Sequence, residues 1–229
     1  DLTAAEAAAL LQAGAAGRVS PRDRPLFAPL AAQALDARRR LAEAEQARRG
    51  LAASQAGLAA LRDLGRMSQA SAQDLIDRAM ASLLALTGSE AGFLCFVDEM
   101  NGFFTMHAQP RDGAACPPGS FRTFCSIDEA GLWLEPLRQR RPVFVNDYAA
   151  SPRQGLPPGH PSISRFLGLP LLEGERVVAV VGLTNKAQPY DEADQGHAFL
   201  LLEGLWRILE QRKAREDLRH SEERYRTVA

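Results

Sequence analysis

Lysine is nearly absent: of the 27 Lys+Arg residues only Lys186 and Lys213 are lysine. Such a skew reads as a codon-composition bias, although arginine in its place favours helix and planar pairing with carboxylates. There is no surplus charge, the formal net value being -1, which excludes the basic footprint expected of nucleic-acid binding or of adhesion to an anionic membrane. Cysteine is scarce as well. Cys95, Cys116 and Cys125 form no CxxC pair and leave one over, so neither a disulfide framework nor a zinc knuckle is indicated, and no metal ligands are proposed. Long apolar runs are missing too, since stretches such as Val177 to Leu183 are far shorter than a bilayer span. The sequence opens at Asp1 with no signal-peptide pattern. It is therefore expected to be a soluble, cytoplasmic piece of a longer protein with no membrane contact of its own.

What is present falls into three textures. Residues 1–66 are rich in Ala, Arg, Gln, Glu and Leu and poor in β-branched residues, the composition of thinly packed helix. A short helix is expected from Leu2 to Ala13, and Ser20-Pro21-Arg22-Asp23 supplies the cap, the first-turn proline and the acid that open a second, longer one. In that helix Leu30, Ala34, Ala37, Leu41, Ala44, Ala47, Leu51, Ser54, Leu58 and Leu61 recur in steps of three and four. The stripe is too narrow to support a lone helix in water, so a parallel homodimer through a coiled-coil seam is expected, with Gly50 as a joint.

Residues 67–212 read as one domain. Ser71-Ala72-Gln73-Asp74 caps a helix ending near Gly88. Ala91 to Val97 and Phe103 to His107 form a hairpin, Gln109 to Ile127 a loop, Leu132 to Arg140 a short helix carrying Trp133, and Pro142 to Val145 a short strand. A long loop from Asp147 to Ser164 follows, of the kind usually kept for function. Arg165 to Leu172 and Arg176 to Leu183 make a second hairpin, and the Val-rich second strand implies burial on both faces. The last helix opens at Asp191 and is broadly apolar from Phe199 to Leu209, then rich in charge from Glu210 to Arg226, residues 213–229 being expected as a signalling helix that leaves the domain. This order of elements is an α+β pattern, a central antiparallel sheet with helices at both ends.

Asn146-Asp147-Tyr148, Leu156 to His160, Phe166-Leu167-Gly168-Leu169-Pro170, Val177 to Gly182 and Asn185-Lys186 with Tyr190 and Asp194 together resemble the second half of a GAF domain, nearest to those of bacterial sensor kinases and diguanylate cyclases. The resemblance implies helices packed on one sheet face, often as a parallel dimer bundle, and a small-molecule pocket under loops on the other. Asn185, Lys186, Tyr190 and Asp194 resemble the NKxnFxxxDE motif of cyclic-nucleotide-binding members, with Tyr190 for Phe and Gln195 for Glu. In that family the Lys and Asp pair to brace the fold, so the match concerns architecture more than a nucleotide. Ser221 to Arg226 is similar to the opening helix of PAS domains, which implies a downstream PAS or output neighbour in a two-component or cyclase signalling chain.

On this reading the fragment has no catalytic residues and is a sensor that binds a small molecule or responds to redox state. The pocket candidates are Cys95, His107, Phe121, Cys125, Trp133, Tyr148, His160 and Phe166. Cys95, inside a strand of apolar residues, is expected to be a core residue more often than a pocket wall. Cys116 and Cys125 could form a redox pair only with Cα atoms within about 7 Å. The cofactor is left open: His107 is the one haem-ligand candidate, and a covalent bilin is not expected because Cys125 is followed by Ser126 rather than His. An alternative is a dimerisation and relay module with no ligand. Free methionine sulfoxide reductase, another GAF-fold protein, needs a catalytic cysteine in the loop after the strand at Val143, and Asp147 to Ser164 contains none.

Overall fold

A computed structural model describes residues 24–67, 69–101, 103–110, 125–126, 133, 135–151 and 162–228. The expected helix at Leu2 to Ala13 and the cap at Ser20 to Asp23 lie outside these residues, as do Cys116, Phe121 and His160. The chain divides into two compact units, residues 1–52 and 53–229.

Helix α1, Arg24–Arg66, runs without interruption through Gly50, so the expected joint there is not a break in the helix. The local cost of one glycine, about 1 kcal/mol, is small against the hydrogen bonds on either side. Within the first unit, α1 carries the exposed i,i+4 pairs Arg40–Asp36 and Arg39–Glu43, both at 2.8 Å. Of the expected seam, Ala34 is buried, whereas Leu41 and Leu51 are more than half exposed in the single chain.

The second unit contains the sheet. Helix α2, Ala72–Thr87, starts with a reciprocal cap in which Ser71 Oγ accepts the Asp74 amide and Asp74 accepts the Ser71 amide. Gly88, at φ 70, ends it in the left-handed conformation that glycine adopts without a Cβ penalty. The strands are β1 (Ala91–Asp98), β2 (Phe103–Pro110), β3 (Cys125–Ser126), β4 (Val143–Val145), β5 (Phe166–Glu173) and β6 (Arg176–Thr184). They form one antiparallel sheet in the order β3-β2-β1-β6-β5-β4. Between β3 and β4 lies the single turn α3, Glu135–Gln139, and the chain ends in α4, Glu192–Val228.

Two sequence expectations need correction. The loop expected from Gln109 to Ile127 overlaps regular structure at both ends: β2 runs on to Pro110, and Cys125–Ser126 adds an edge strand against Phe103–Phe104. Two residues are too few to produce a readable alternation. Trp133, expected inside a helix, lies in a 3₁₀ residue ahead of α3. That helix is also shorter than expected, with Pro136 in its first turn and Arg140 just past its end at φ 50.

Alternation along the strands gives the sheet two buried faces. Leu94, Leu167, Leu169, Val181 and Leu183 face a layer made by α2, α4 and the last turns of α1, where Leu75, Leu83, Leu201, Leu202 and Leu205 are buried. Phe93, Cys95, Phe166, Val177 and Val180 face the other way. A bulge at Leu171/Leu172 leaves Val178 as an extra residue, so that Val178 and Ala179 both join the helix-side core. Every residue of β6 from Val177 to Thr184 is buried, as its continuous apolar run implies. Helix α4 opens on this core and leaves it: Phe199 is 41% exposed, Leu205 is buried, and Lys213 to His220 are all exposed.

Candidate functional site

The face opposite the helices brings together four of the candidates. Cys95 and Phe166 point from β1 and β5, Tyr148 follows β4, and Trp133 precedes α3; all pack with Phe93, Leu137, Val177 and Val180. The arrangement depends on two glycines that face each other across β5 and β6, Gly168 and Gly182. A Cβ at Gly182 would lie 2.2 Å from Phe93 Cε1, and one at Gly168 would lie 2.4 Å from Pro136 Cγ. Without side chains there, the Phe93 ring settles onto β6 and α3 closes onto β5. Phe93 then stacks on Phe166 at 6.4 Å and 18° and on Trp133 at 5.1 Å and 38°, contacts each worth about 0.5–1.5 kcal/mol beyond area burial.

Beside this aromatic floor stands a buried acid that the sequence did not single out, Glu135. Its carboxylate accepts from Gln139 at 2.9 Å and pairs with Arg138 at 3.4 Å. Reading Gly168 and Gly182 as strand glycines that admit a close neighbour would have located the floor, but nothing in the sequence marked Glu135. A depression adjoins this aromatic cluster, its lining flanking Tyr148 and Phe166 in sequence and sharing Ile163 with the cluster. It has a volume of about 510 Å³ and is lined by Asn146, Asp147 and Ala149 on one side and by Ser162 to Arg165 on the other. The backbone of His107 sits in β2 opposite Leu94, and that of Cys125 in β3 opposite Phe104; their side chains lie outside the described residues. Among the described residues no group of three or more His, Cys, Asp or Glu is placed to hold a metal ion.

The motif residues form a separate, polar assembly where β6 passes into α4. Lys186 Nζ meets Asp194 Oδ2, with the Asp194 side chain only 7% exposed. The same oxygen accepts the Asp191 amide while Asp191 Oδ1 accepts the Asp194 amide, a reciprocal cap on α4. That amide hydrogen bond holds the Asp191 carboxyl below the usual carboxylate range. Tyr190 exchanges two bonds with the Asn146 side chain, its amide donating at 2.7 Å and its carbonyl accepting at 3.1 Å. The Tyr190 hydroxyl meets Ser89 Oγ at 2.8 Å, and Ser89 meets Thr87 at 2.7 Å. Burial pushes the Tyr190 phenol up to about 12, and the Asp194 and Glu90 charges act in the same direction.

Asn185 adopts φ 60, tolerable for asparagine, and its amide side chain accepts the Ser164 amide and donates to the Ser162 carbonyl. Arg165 donates to the Lys186 carbonyl at 3.0 Å. The Asn185 bonds tie the end of the Asp147 to Ser164 loop to the segment between β6 and α4, and Arg165 binds the same segment.

A profile of the GAF domain family matches residues 69–210. The chain belongs to the GAF domain family. Its sequence is 35% identical over 165 residues to the methyl sulfide methyltransferase-associated sensor of Methanosarcina acetivorans, covering 71% of this chain and 16% of that relative's length. The GAF domain of an Acinetobacter phosphoenolpyruvate-protein phosphotransferase superposes with a TM-score of 0.58 at 18% identity, over 70% of this chain and 93% of that one. Free methionine-R-sulfoxide reductase from Neisseria meningitidis, solved with its substrate, superposes with a TM-score of 0.56 at 16% identity, over 72% and 93% of the two chains. At these identities the two structures establish the GAF fold and nothing of the chemistry. No helix among the described residues of this GAF chain is long and apolar enough to cross a membrane.

Proposed function

We propose that this GAF domain is a non-catalytic regulatory module of a cytoplasmic signalling protein. It senses a small molecule or redox state at the aromatic face and passes the result through dimeric helices to an output domain outside these residues. The observation that carries the reading is the course of α4, which is packed on the sheet through Leu205 and then continues as a fully exposed, charged helix from Lys213 to His220. A helix firmly held at one end and unsupported at the other suits a relay that shifts between packing arrangements. The sensor name of the Methanosarcina relative supports it, as do the PAS-like residues Ser221 to Arg226. The exposed Leu41, Leu51 and Leu58 on α1 fit a parallel homodimer as the relay's form. The absence of cysteine from Asp147 to Ser164 disfavours the reductase alternative.

The test has two arms. Light scattering at micromolar concentration should give a dimer rather than a 24.9 kDa species. A panel of cyclic nucleotides, amino acids and haem, followed by melting temperature, should contain a compound that raises Tm by mass action, and that compound should alter the distance between spin labels at Arg215 in the two chains. A confirmed ligand that leaves this distance unchanged would break the relay. One observation favours a ligand-free module instead: Phe93, Phe166 and Trp133 already fill the floor over Gly182. A dimer that binds nothing in the panel or among co-purifying small molecules would support that second reading.

A further inference from the structure

The sheet offers one route to α4, through whatever its aromatic face holds. The helices offer another. Gly57 of α1 lies against Leu200 of α4, the position of its missing Cβ being 3.9 Å from Leu200 Cδ2. One turn further on the roles reverse, and Leu61 of α1 fills the space at Gly204 of α4, where a Cβ would come within 2.1 Å of Leu61 Cδ2. Residue numbers rise together along both contacts, so the two helices run parallel here, with Leu200 in van der Waals reach of Gly57 and Leu61 interlocked at Gly204. A Cβ at residue 204 would require the Leu61 side chain to leave its place.

The second observation is independent of this packing. Arg212 stands on α4 where the helix leaves the domain, the next eight residues all being exposed. Its guanidinium reaches the turn that ends α1, donating from Nη1 to the Ala70 carbonyl and from Nη2 to the Met67 carbonyl at 3.1 Å. Both donors of the planar fork are committed to one turn, which fixes orientation as well as distance. Positive charge is also favoured beside the C-terminal end of a helix. The end of the incoming helix and the departure point of the outgoing helix are thus held by one side chain.

We propose that α1 and α4 of a single chain form a direct joint, interlocked at Leu61–Gly204 and latched by Arg212, through which a displacement of α1 moves α4 without any change at the aromatic face. The domain then transmits between its two helices whether or not it binds a ligand, and Arg212 acts as a positioning residue for the outgoing helix. Such a joint goes beyond the sensory reading and does not depend on it: a chain with no ligand would still possess it.

The test displaces α1 and reads α4. Spin labels are attached through ketone-bearing unnatural side chains at Glu175, on the exposed tip of the β5–β6 turn, and at Asp217, on the exposed part of α4. Labelled chain is diluted with unlabelled chain so that only pairs within one chain contribute. Gly57→Leu pushes α1 away from Leu200, and the Glu175–Asp217 distance should shift by about 2 Å, the size of helix displacements at shifting interfaces. Arg212→Gln should remove at least half of that shift and broaden the distribution, with Arg212→Lys between the two. Circular dichroism establishes that each variant is folded, and Gly57→Val replaces Gly57→Leu if the latter is not. An unchanged distance in the folded Gly57 variant overturns the joint, and a shift of equal size with Arg212→Gln overturns the latch. A lowered Tm alone, without loss of the shift, would mark Arg212 as merely structural.

Discussion

One face of the sheet is covered by leucine, alanine, isoleucine and methionine from three helices, the other by aromatic rings seated on glycine. Aliphatic side chains of similar volume can exchange places with modest repacking. Rings stacked and tilted on one another against a bare backbone cannot, because Phe93 occupies the space that a Cβ at Gly182 would need. The helix-covered face is therefore suited to small rearrangements of the helices, and the aromatic face to holding a fixed shape.

The strongest challenge to this contrast is a cavity on the helix side. Leu202→Ala removes a buried side chain and should cost about 3 to 4 kcal/mol in urea unfolding, whereas Leu202→Met should cost less than about 1.5 kcal/mol. Equal losses for the two would show that this face is as rigid as the other.

At the edge of the helix layer, Asp194→Ala leaves Lys186 without its partner and takes the reciprocal cap from α4. Sequence alone suggested up to about 1 kcal/mol for an exposed pair. With the carboxylate buried the expected loss rises to about 3 kcal/mol, because an uncompensated charge remains, and Asp194→Asn should recover part of it.

On the aromatic side, Gly182→Ala adds a single methyl group and should destabilise by about 2 kcal/mol through overpacking against Phe93. Adding Phe93→Leu should return part of the loss, and the double-mutant cycle measures how much. A cost below about 0.5 kcal/mol for Gly182→Ala would mean that the rings can move.

The smallest effect concerns Tyr190, whose hydroxyl joins the start of α4 to Ser89. Tyr190→Phe should cost about 1 kcal/mol at neutral pH. The phenol of the folded chain titrates near 12 and that of the unfolded chain near about 10. The proton is thus held more tightly when folded; its contribution is full below pH 10 and is lost as pH rises through 12. Absorbance titration at 295 nm should show a late-ionising tyrosine component that is missing from Tyr190→Phe.

The fold was readable where local chemistry and period agreed. Ser71 to Asp74 announces a cap, Gly88 an ending, and Val177 to Leu183 a strand buried on both faces, because each depends on neighbours in sequence. Cys125–Ser126 was not readable, since an edge strand of two residues exists only through its partner β2. The aromatic floor was half legible: Cys95, Trp133, Tyr148 and Phe166 stood out by residue type. Their grouping depends on Gly168 and Gly182, whose significance appears only when Phe93 and Pro136 are seen above them. Glu135 stayed hidden because a single acid near a short helix looks the same whether it faces water or not. His107, Phe121, Cys125 and His160 are not decided by the described side chains.

The two central strands, β1 and β6, pair Leu94 with Val181, residues far apart along the chain. During synthesis at roughly 5–20 residues per second, β1 leaves the ribosome on the order of ten seconds before its neighbour exists. Throughout that interval α2 and the β1–β2 hairpin have neither β6 nor α4 to cover them, and Leu94, Phe96, Leu83 and Leu84 stay open to solvent or to a chaperone. A nascent chain halted before residue 176 should accordingly be captured by a hydrophobic holdase, and one extended past Leu205 should be released.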